Sequence, residues 1–257
     1  MYKKILPALC AALVLSACAN SPVNAPFAGK SYVLMGEVHD NALGHQARFQ
    51  ALEKAVKAGW RPAIAMEQFD VERQADLDQA RLEQPNNPDY LIQKMGGKRW
   101  DWPLYRPVIE LAMRYDLPIV AANLSRQDAS KVVKSGLAAL ANAEELGLTQ
   151  PLPAGLLAAQ REEVRVGHCN KLPENLLDGM ALAQIARDAV MAKVMKPYQA
   201  RGVVLLAGNG HVRRDMGVPV WLPNSLSMGF VEGSKQGAFD QEQLIDAIKR
   251  TDPCAGL

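Results

Sequence analysis

Residues 32–46 read Y-V-L-M-G-E-V-H-D-N-A-L-G-H-Q. An apolar run at residues 33–35 stops at Gly36, and Glu37, His39 and His45 follow within ten positions. A buried strand that runs into a polar turn places its chemistry at the carboxyl end of the strand, where α/β sheets bind ligands. This stretch therefore predicts a strand whose end forms part of a functional site.

The same pattern recurs near the other end of the chain. The apolar residues 203–207 are followed by Gly208, Asn209, Gly210 and His211, so both runs end in Gly-x-x-His. One such tetrapeptide has little specificity. Two of them, each directly after an apolar strand, predict that the two histidines meet over one edge of a sheet.

The rest of the chain alternates strand patterns with helix patterns. Further strands are predicted at residues 62–66, 117–122, 201–207, 218–222 and 226–231, and helices at residues 43–57, 71–83, 105–115, 178–195 and 241–249. Residues 127–196 are mostly helical in pattern. This alternation predicts an α/β fold with a mostly parallel central sheet, helices on both faces, and a helical insertion in the second half of the chain.

The amino-terminal residues have the composition of an export signal. Lys3 and Lys4 precede an apolar run at residues 5–15, which is too short for a permanent membrane span. The tetrapeptide L-S-A-C that ends at Cys18 is similar to a bacterial lipobox. We therefore expect lipidation of Cys18, with a plain signal peptide cut nearby as the alternative.

These features divide the chain into a signal peptide at residues 1–17, a lipidated tether at residues 18–28 and a single domain at residues 29–257. Loss of the signal removes two lysines and leaves 27 basic residues against 27 acidic ones. The sequence contains no basic patch, which argues against a nucleic-acid partner.

Two cysteines remain in the predicted domain, Cys169 and Cys254. An even pair in an exported protein predicts a disulfide that ties down the carboxyl-terminal tail. The alternative is that Cys169 acts beside His168 as a metal or haem ligand.

Polar side chains follow four of the predicted strands. They are Glu37 with His39, then Glu67, then Asn123 with Arg126, and finally Asn209 with His211. The carboxyl ends of parallel strands share one sheet edge, so two histidines and two glutamates could bind a divalent metal there. The same four residues could instead serve as the catalytic acid–base groups of a hydrolase, or the cluster could hydrogen-bond the propionates of a bound ligand.

The aromatic residues suggest a further ligand. Tyrosinate is a known ligand of haem iron, and apolar or aromatic walls hold the macrocycle. Trp100, Trp102, Tyr105 and Tyr198 are the candidates, although core packing is an ordinary role for either tryptophan.

At these residues the sequence resembles the ChaN family of haem-binding lipoproteins, within the Tiki/TraB/erythromycin-esterase-like group. The similarity runs in family order across residues 31–222. Its matching pieces are L-M-G-E-V-H-D-N with His45, A-M-E-Q-F-D with Gln74, W-D-W-P-L-Y, V-A-A-N-L-S-R, H-C, Q-I-A-R-D-A-V-M-A, and L-L-A-G-N-G-H-V-R-R with G-V-P.

The resemblance implies a protein that binds haem and takes part in haem or iron uptake or storage. It implies a lipid anchor in the bacterial outer membrane facing the periplasm, a homodimer that helps to enclose haem, and an outer-membrane haem receptor system as partner. Tyrosine ligation of iron is the family expectation, with Tyr198 as first choice and Tyr105 as second. His168, Arg126, His39 and His211 are the further candidates for haem contacts.

The wider group implies an alternative function, because it includes metal-dependent hydrolases and proteases that use paired Gly-x-x-His motifs with a glutamate. In that case Glu37, His39, Glu67 and His211 would be the metal-binding and catalytic residues.

Overall fold

The structure is a computed structural model that describes residues 26–27, 29–252 and 254–255. The predicted signal peptide and Cys18 lie outside these residues. Six strands form one sheet in the order β3-β2-β4-β1-β5-β6, and all neighbouring strands are parallel. The strands are β1 (Tyr32–Glu37), β2 (Ala63–Asp70), β3 (Ile119–Asn123), β4 (Val203–Gly208), β5 (Leu226–Val231) and β6 (Gln241–Leu244).

Helices connect and cover these strands. In the described residues they are α1 (Ala42–Lys57), α2 (Gln74–Glu83), α3 (Pro88–Met95), α4 (Trp102–Arg114), α5 (Arg126–Ser135), α6 (Leu156–Gly167), α7 (Glu174–Met195) and α8 (Asn209–Val212). Short 3-10 turns lie at Val71–Arg73, Leu137–Ala139, Lys196–Tyr198 and Val218–Val220.

The sheet is covered on both faces, and its two central strands, β1 and β4, are buried at every position rather than alternately. One face of β1 (Val33 and Met35) packs with α1, α3 and α4, and the other (Tyr32 and Leu34) packs with the carboxyl-terminal half of α7. Continuous apolar runs of this kind are typical of parallel strands buried on both sides. The predicted α/β class is confirmed.

The helical insertion is the second feature that the structure confirms. Helices α5, α6 and α7 pack together around their own apolar cluster, which includes Val132, Leu156 and Ile185. Side-chain caps define where two helices begin. Asn41 Oδ1 accepts from Gly44 N at 3.0 Å at the start of α1, and Ser125 Oγ accepts from Asp128 N at 3.1 Å at the start of α5.

Three sequence-based assignments need correction. Residues 218–222 were predicted as a strand but contain a 3-10 turn, where Pro219 has no N–H to give to a strand partner. Residues 241–249 were predicted as a helix, yet Gln241–Leu244 forms β6, which pairs with β5. Helix α3 was not predicted at all.

The carboxyl-terminal tail is held by polar contacts and a disulfide. Arg250 binds the carboxylates of Asp40 and Glu232, with contacts of 2.6 to 2.7 Å. Cys169 and Cys254 form a disulfide with a Cα–Cα distance of 5.6 Å, as the sequence predicts. In the described residues no helix is long and apolar enough to cross a membrane.

Candidate functional site

The carboxyl ends of the three central strands meet at one edge of the sheet. Strand β4 lies between β2 and β1, and Glu37 is level with Gly208 in the parallel register. This arrangement places the two Gly-x-x-His corners side by side, with Glu67 of β2 next to them. The sequence-based expectation that these strand ends share one edge is therefore met by the topology.

Glu37 is the centre of the corner that follows β1. Its carboxylate is 2% exposed, and one oxygen accepts from the Tyr105 hydroxyl at 2.6 Å and from His39 Nδ1 at 2.8 Å. The other oxygen accepts from Nη1 of Arg48, a guanidinium that is 1% exposed. The carboxylate is thus fully engaged inside the protein, and only His39, whose side chain is 49% exposed, reaches outward.

These contacts fix the charge of the β1 corner. Burial alone would raise the pKa of Glu37, but the Arg48 guanidinium and the hydrogen bond from His39 outweigh it and lower the pKa to about 2. Burial and the neighbouring carboxylate raise the pKa of Tyr105, so its hydroxyl stays protonated and donates. The corner is therefore a closed ion pair that positions His39.

His45 supports this corner from the first turns of α1. Its Nε2–H donates to the His39 backbone oxygen at 3.1 Å, and its Nδ1 accepts from Arg48 Nη2 at 3.1 Å. Burial and the Arg48 charge lower the pKa of His45, so the imidazole stays neutral. The neutral ring therefore links the Arg48 guanidinium to the His39 backbone through its two hydrogen bonds.

The corner that follows β4 takes its carboxylate from a different element. His211 Nδ1–H donates to Asp188 Oδ1 of α7 at 2.6 Å, and His211 Nε2 lies 3.7 Å from Glu67 Oε1. Asp188 is fully buried and also accepts from Gln160 Nε2 at 3.2 Å. One imidazole is thus held between two acidic side chains.

Burial raises the pKa of Asp188 to about 6, against the opposing effect of His211. Burial by itself would lower the pKa of His211, but Asp188 and Glu67 outweigh it and raise the pKa above its ordinary value. The raised pKa of Asp188 lies close to the pH range in which general acid–base groups operate.

A bulge in β2 positions Glu67. Met66 pairs with Ala121 and Asp70 with Asn123, so three residues of β2 lie opposite a single residue of β3. Such irregularities re-aim side chains at sheet edges. Here Glu67 turns toward β4, where its Oε2 accepts from the Gly208 N–H at 2.8 Å.

Two cavities open at this edge. The smaller one, called the dyad cavity after its two histidines, has a volume of about 440 Å³. It is lined by His39 and His211 together with Glu67, Arg187 and Trp100. The large cleft, about 910 Å³, is also lined by both histidines and continues past His168, Arg213, Lys235 and Phe239. The two imidazoles therefore face the same space, as the paired motifs predict.

The predicted metal set is not supported. Among residues 26–27, 29–252 and 254–255, no three His, Cys, Asp or Glu side chains are grouped so that they could hold a metal ion. The physical reason lies in Glu37, whose oxygens are already engaged by Arg48, Tyr105 and His39.

The remaining candidates lie in three different places. Tyr105 is fully buried beneath Trp100, while Arg126 lines a separate small cavity. His168 lines the large cleft, and its Nδ1–H donates to the Val164 carbonyl at 2.7 Å. The space shared at the ends of the strands therefore includes His39, Glu67 and His211, with Glu37 beneath it. Arg126, which was also expected at this edge, lies outside that space.

Tyr198 lies at the opposite end of the sheet from His211. It sits in the 3-10 turn before β4, where the Arg201 N–H donates to its carbonyl oxygen. Strand β4 has six residues, so roughly 17 Å at about 3.3 Å per residue separates its two ends. None of the tyrosines in the described ranges lines the dyad cavity or the large cleft.

Sequence reasoning missed two residues of the site. Arg48 lies within α1 and was not singled out, although an arginine on the buried face of an amphipathic helix signals an internal ion pair. Asp188 shares one face of the predicted helix at residues 178–195 with Gln184 and Arg187, a pattern that is ordinarily a salt-bridged helix surface. Arg187 instead donates to the Asn123 side chain and to the Leu124 carbonyl, which joins α7 to the end of β3.

The chain matches a known protein family and several solved structures. A family model described as "Haem-binding uptake, Tiki superfamily, ChaN" matches residues 24–222. The structure titled "Cofacial heme binding to ChaN of Campylobacter jejuni" matches with a TM-score of 0.67 and 21% identity, over 82% of this chain and 86% of that one. The similarity to this solved structure supports the α/β fold.

Two further solved structures are more distant. The type III effector HopBA1 matches with a TM-score of 0.44 and 15% identity, over 83% of this chain and 84% of that one. RRSP, a MARTX toxin effector domain from Vibrio vulnificus, matches with a TM-score of 0.45 and 15% identity, over 85% of this chain and 36% of that one. A comparison with curated proteins gave no match.

Proposed function

Since this chain belongs to the ChaN family of haem-binding uptake proteins in the Tiki superfamily, we propose that it binds haem in the large cleft and takes part in haem or iron uptake or storage. The observation that carries the location is His168. Its Nδ1–H is held by the Val164 carbonyl at 2.7 Å, and this hydrogen bond leaves the lone pair on Nε2. A backbone carbonyl behind an imidazole is the usual support of a metal-binding histidine.

The lining of the large cleft fits a haem group in its other requirements. Its volume of about 910 Å³ is at the upper end of the range for ligand sites. Val164, Met216 and Phe239 supply apolar wall. Arg213 and Lys235, which pair with Glu163 at 3.0 and 3.3 Å, supply donors that the propionates would share with that carboxylate. When bound, haem would supply an iron centre for storage or transfer, and the protein would hold it through His168 and this lining.

We propose Tyr198 only as the competing iron ligand, because it lies at the far end of β4 from the large cleft. The dimer that the family resemblance implies would be compatible with either ligand. We further propose that the chain is lipidated at Cys18 and anchored in the outer membrane facing the periplasm, where it serves a haem receptor system. The L-S-A-C sequence supports the anchor, and the disulfide supports an oxidising compartment.

A hemin titration tests the haem proposal. The intact protein and its His168→Ala and Tyr198→Phe variants are titrated with hemin, and the Soret band is followed. We expect His168→Ala to bind at least about tenfold more weakly, as loss of a metal-supporting group does, while Tyr198→Phe is unchanged. Tyr90→Phe is the control, since Tyr90 donates to Glu83 on an exposed helix surface.

The possible outcomes separate the two parts of the proposal. Loss of the Soret band only in Tyr198→Phe would assign the iron to Tyr198 and refute the role of His168. A wild-type protein that never gives a Soret band would refute haem binding. Size-exclusion chromatography with and without hemin tests the homodimer, and mass spectrometry of the exported protein tests lipidation of Cys18.

A second candidate function is hydrolysis. Two histidines are each oriented by a carboxylate, Glu37 for His39 and Asp188 for His211, and both line the dyad cavity. This is the arrangement of a general acid and a general base that act on one bound group. Turnover of a peptide or ester substrate should fall by about 10²–10⁴-fold in His211→Ala, with His168→Ala as the control; equal rates in the two variants would refute it.

A further inference from the structure

A third cavity lies on the other side of the β2 bulge. The arginine pocket, about 230 Å³, has a polar lining of Gln68, Asp70, Arg73, Arg99 and Arg126. It shares no residue with the large cleft, and it meets the dyad cavity only through Arg99 and Trp100. The arginine pocket is therefore lined by different residues from the large cleft in which we propose that haem binds.

Gln68 is the most informative residue of this pocket. Gln68 is only 6% exposed, and neither Nε2 nor Oε1 of its side chain has a hydrogen-bond partner among the described residues. Buried amides are almost always hydrogen-bonded, because leaving either atom unpaired destabilises the protein. An unpaired donor and an unpaired acceptor at one position suit a group that both accepts and donates hydrogen bonds.

The charges around Gln68 define the rest of the ligand. The Arg126 side chain has no hydrogen bond or ion pair among the described residues. Arg99 stacks over Trp100, 4.8 Å from the ring centroid, and its charge lowers the pKa of Asp70 against the larger effect of burial. Arg73 is held in place by the carbonyl oxygens of Lys94 and Met95 and by the Asp76 carboxylate, all at 3.2 Å, so Arg99 and Arg126 are the guanidinium groups left for a ligand. Against these three guanidinium groups the pocket lining offers a single carboxylate, that of Asp70.

We propose that the arginine pocket binds a small oxyanion that also carries a hydroxyl, such as a hydrogen phosphate or a hydroxycarboxylate. The guanidinium groups of Arg126 and Arg99 bind the oxyanion, for which their planar forks are suited. Gln68 Nε2 donates to an oxygen of the ligand, while Gln68 Oε1 accepts from its hydroxyl. The volume equals roughly seven or eight water molecules at about 30 Å³ each, which suits a small anion.

Isothermal titration calorimetry on the intact protein tests this proposal with three probes. Inorganic phosphate and malate both carry a hydroxyl, while succinate matches malate in charge but lacks that group. We expect phosphate or malate to bind, succinate to bind at least about tenfold more weakly than malate, and binding to weaken as salt is raised. The stronger of the first two probes identifies the class of oxyanion.

Three variants locate the binding. Arg126→Gln should weaken binding by about tenfold or more, the usual effect of losing a charged hydrogen bond. Gln68→Met should abolish the preference for malate over succinate without lowering the melting temperature of the free protein, because it removes two unpaired polar atoms. Arg114→Gln is the control, since that arginine is exposed and pairs only with Glu110 on α4.

Two results would overturn the proposal. One is that none of the three probes gives binding heat at concentrations up to about 10 mM, because a specific site should bind more tightly than that. The other is binding that survives unchanged in both Arg126→Gln and Gln68→Met, which would place the anion elsewhere. Hemin binding in the same samples is a separate readout, so loss of one activity does not imply loss of the other.

Discussion

The two Gly-x-x-His corners have the same sequence pattern but different construction. At the β1 corner the carboxylate is Glu37, two residues before His39, and it is locked to the buried Arg48. At the β4 corner the carboxylate is Asp188, which α7 supplies from 23 positions away in sequence. His39 is half exposed, whereas His211 is largely buried between Asp188 and Glu67.

The difference shows that one motif can serve two purposes at a single sheet edge. The β1 corner is rigid and charge-paired, because Arg48 neutralises the charge of Glu37. The β4 corner contains two carboxylates around one imidazole, and the nearby Arg187 hydrogen-bonds Asn123 and the Leu124 carbonyl rather than either carboxylate. The charge of Asp188, whose pKa is raised to about 6, can therefore change near neutral pH. We infer that stability depends mainly on the first corner and acid–base chemistry mainly on the second.

Replacement of Arg48 by Met should have the largest effect. The variant leaves Glu37 as an unpaired buried carboxylate, which costs about 3–5 kcal/mol in similar cases. Urea denaturation at neutral pH measures the free energy of unfolding. A loss of less than about 1 kcal/mol would contradict the assigned ion pair, and Arg114→Gln provides the comparison for an exposed arginine.

Acid should remove most of the same stabilisation from the wild type. The pKa of Glu37 is lowered to about 2 in the folded protein, below its ordinary value of 4.5. Its contribution is therefore complete above about pH 5 and is lost as the pH falls toward 2, and it amounts to about 3 kcal/mol. Denaturation at pH 6 and pH 3 should show a clearly smaller pH dependence in Glu37→Gln than in the wild type.

The two motif glycines give a matched pair of smaller effects. A Cβ at Gly36 would lie 2.1 Å from Asn209 Oδ1 and 2.7 Å from Val212 Cγ2, both in packed surroundings. Gly36→Ala should therefore cost about 1–3 kcal/mol, which is typical of overpacking.

A Cβ at Gly208 would lie 2.9 Å from His39 Nε2. The exposed His39 ring can shift into the cleft, so Gly208→Ala should cost less than about 1 kcal/mol. Equal losses in the two variants would show that the two corners are equally tight. Thermal denaturation of both proteins is sufficient to decide this.

The sequence predicted the fold well because its main signal is local. The apolar runs of β1 and β4 identify strands buried on both faces, and their polar ends identify the site edge. The partners of the two histidines were harder to identify, because Arg48 and Asp188 sit on helices whose rotation about the sheet depends on tertiary packing. Residues 241–249 were assigned wrongly for a related reason: the free edge of β5 decides that Gln241–Leu244 pairs as a strand.

Tyr198 illustrates a different limit. It is close in sequence to the second Gly-x-x-His motif, but closeness in sequence is not closeness in space. A six-residue strand lies between the turn that holds Tyr198 and the turn that holds His211, so the two residues lie at opposite ends of the sheet. Because Tyr198 precedes β4 and His211 follows it, the length of the strand alone predicts this separation.

The smallest effect concerns protons rather than folding, and it tests the division of roles directly. Asp188 and Glu67 together raise the pKa of His211, while the hydrogen bond to Glu37 raises the pKa of His39 against the effect of burial. Asp188→Asn should therefore lower the pKa of His211 and change that of His39 much less, because the charge of His211 is a minor influence on His39. NMR titration of the imidazole nitrogens measures both. Because a raised pKa in a histidine stabilises the fold only below that pKa, the variant should lose stability at pH 6 more than at pH 8. If both histidines shift together, the two corners titrate as one unit and the proposed separation between a structural corner and a chemical one is wrong.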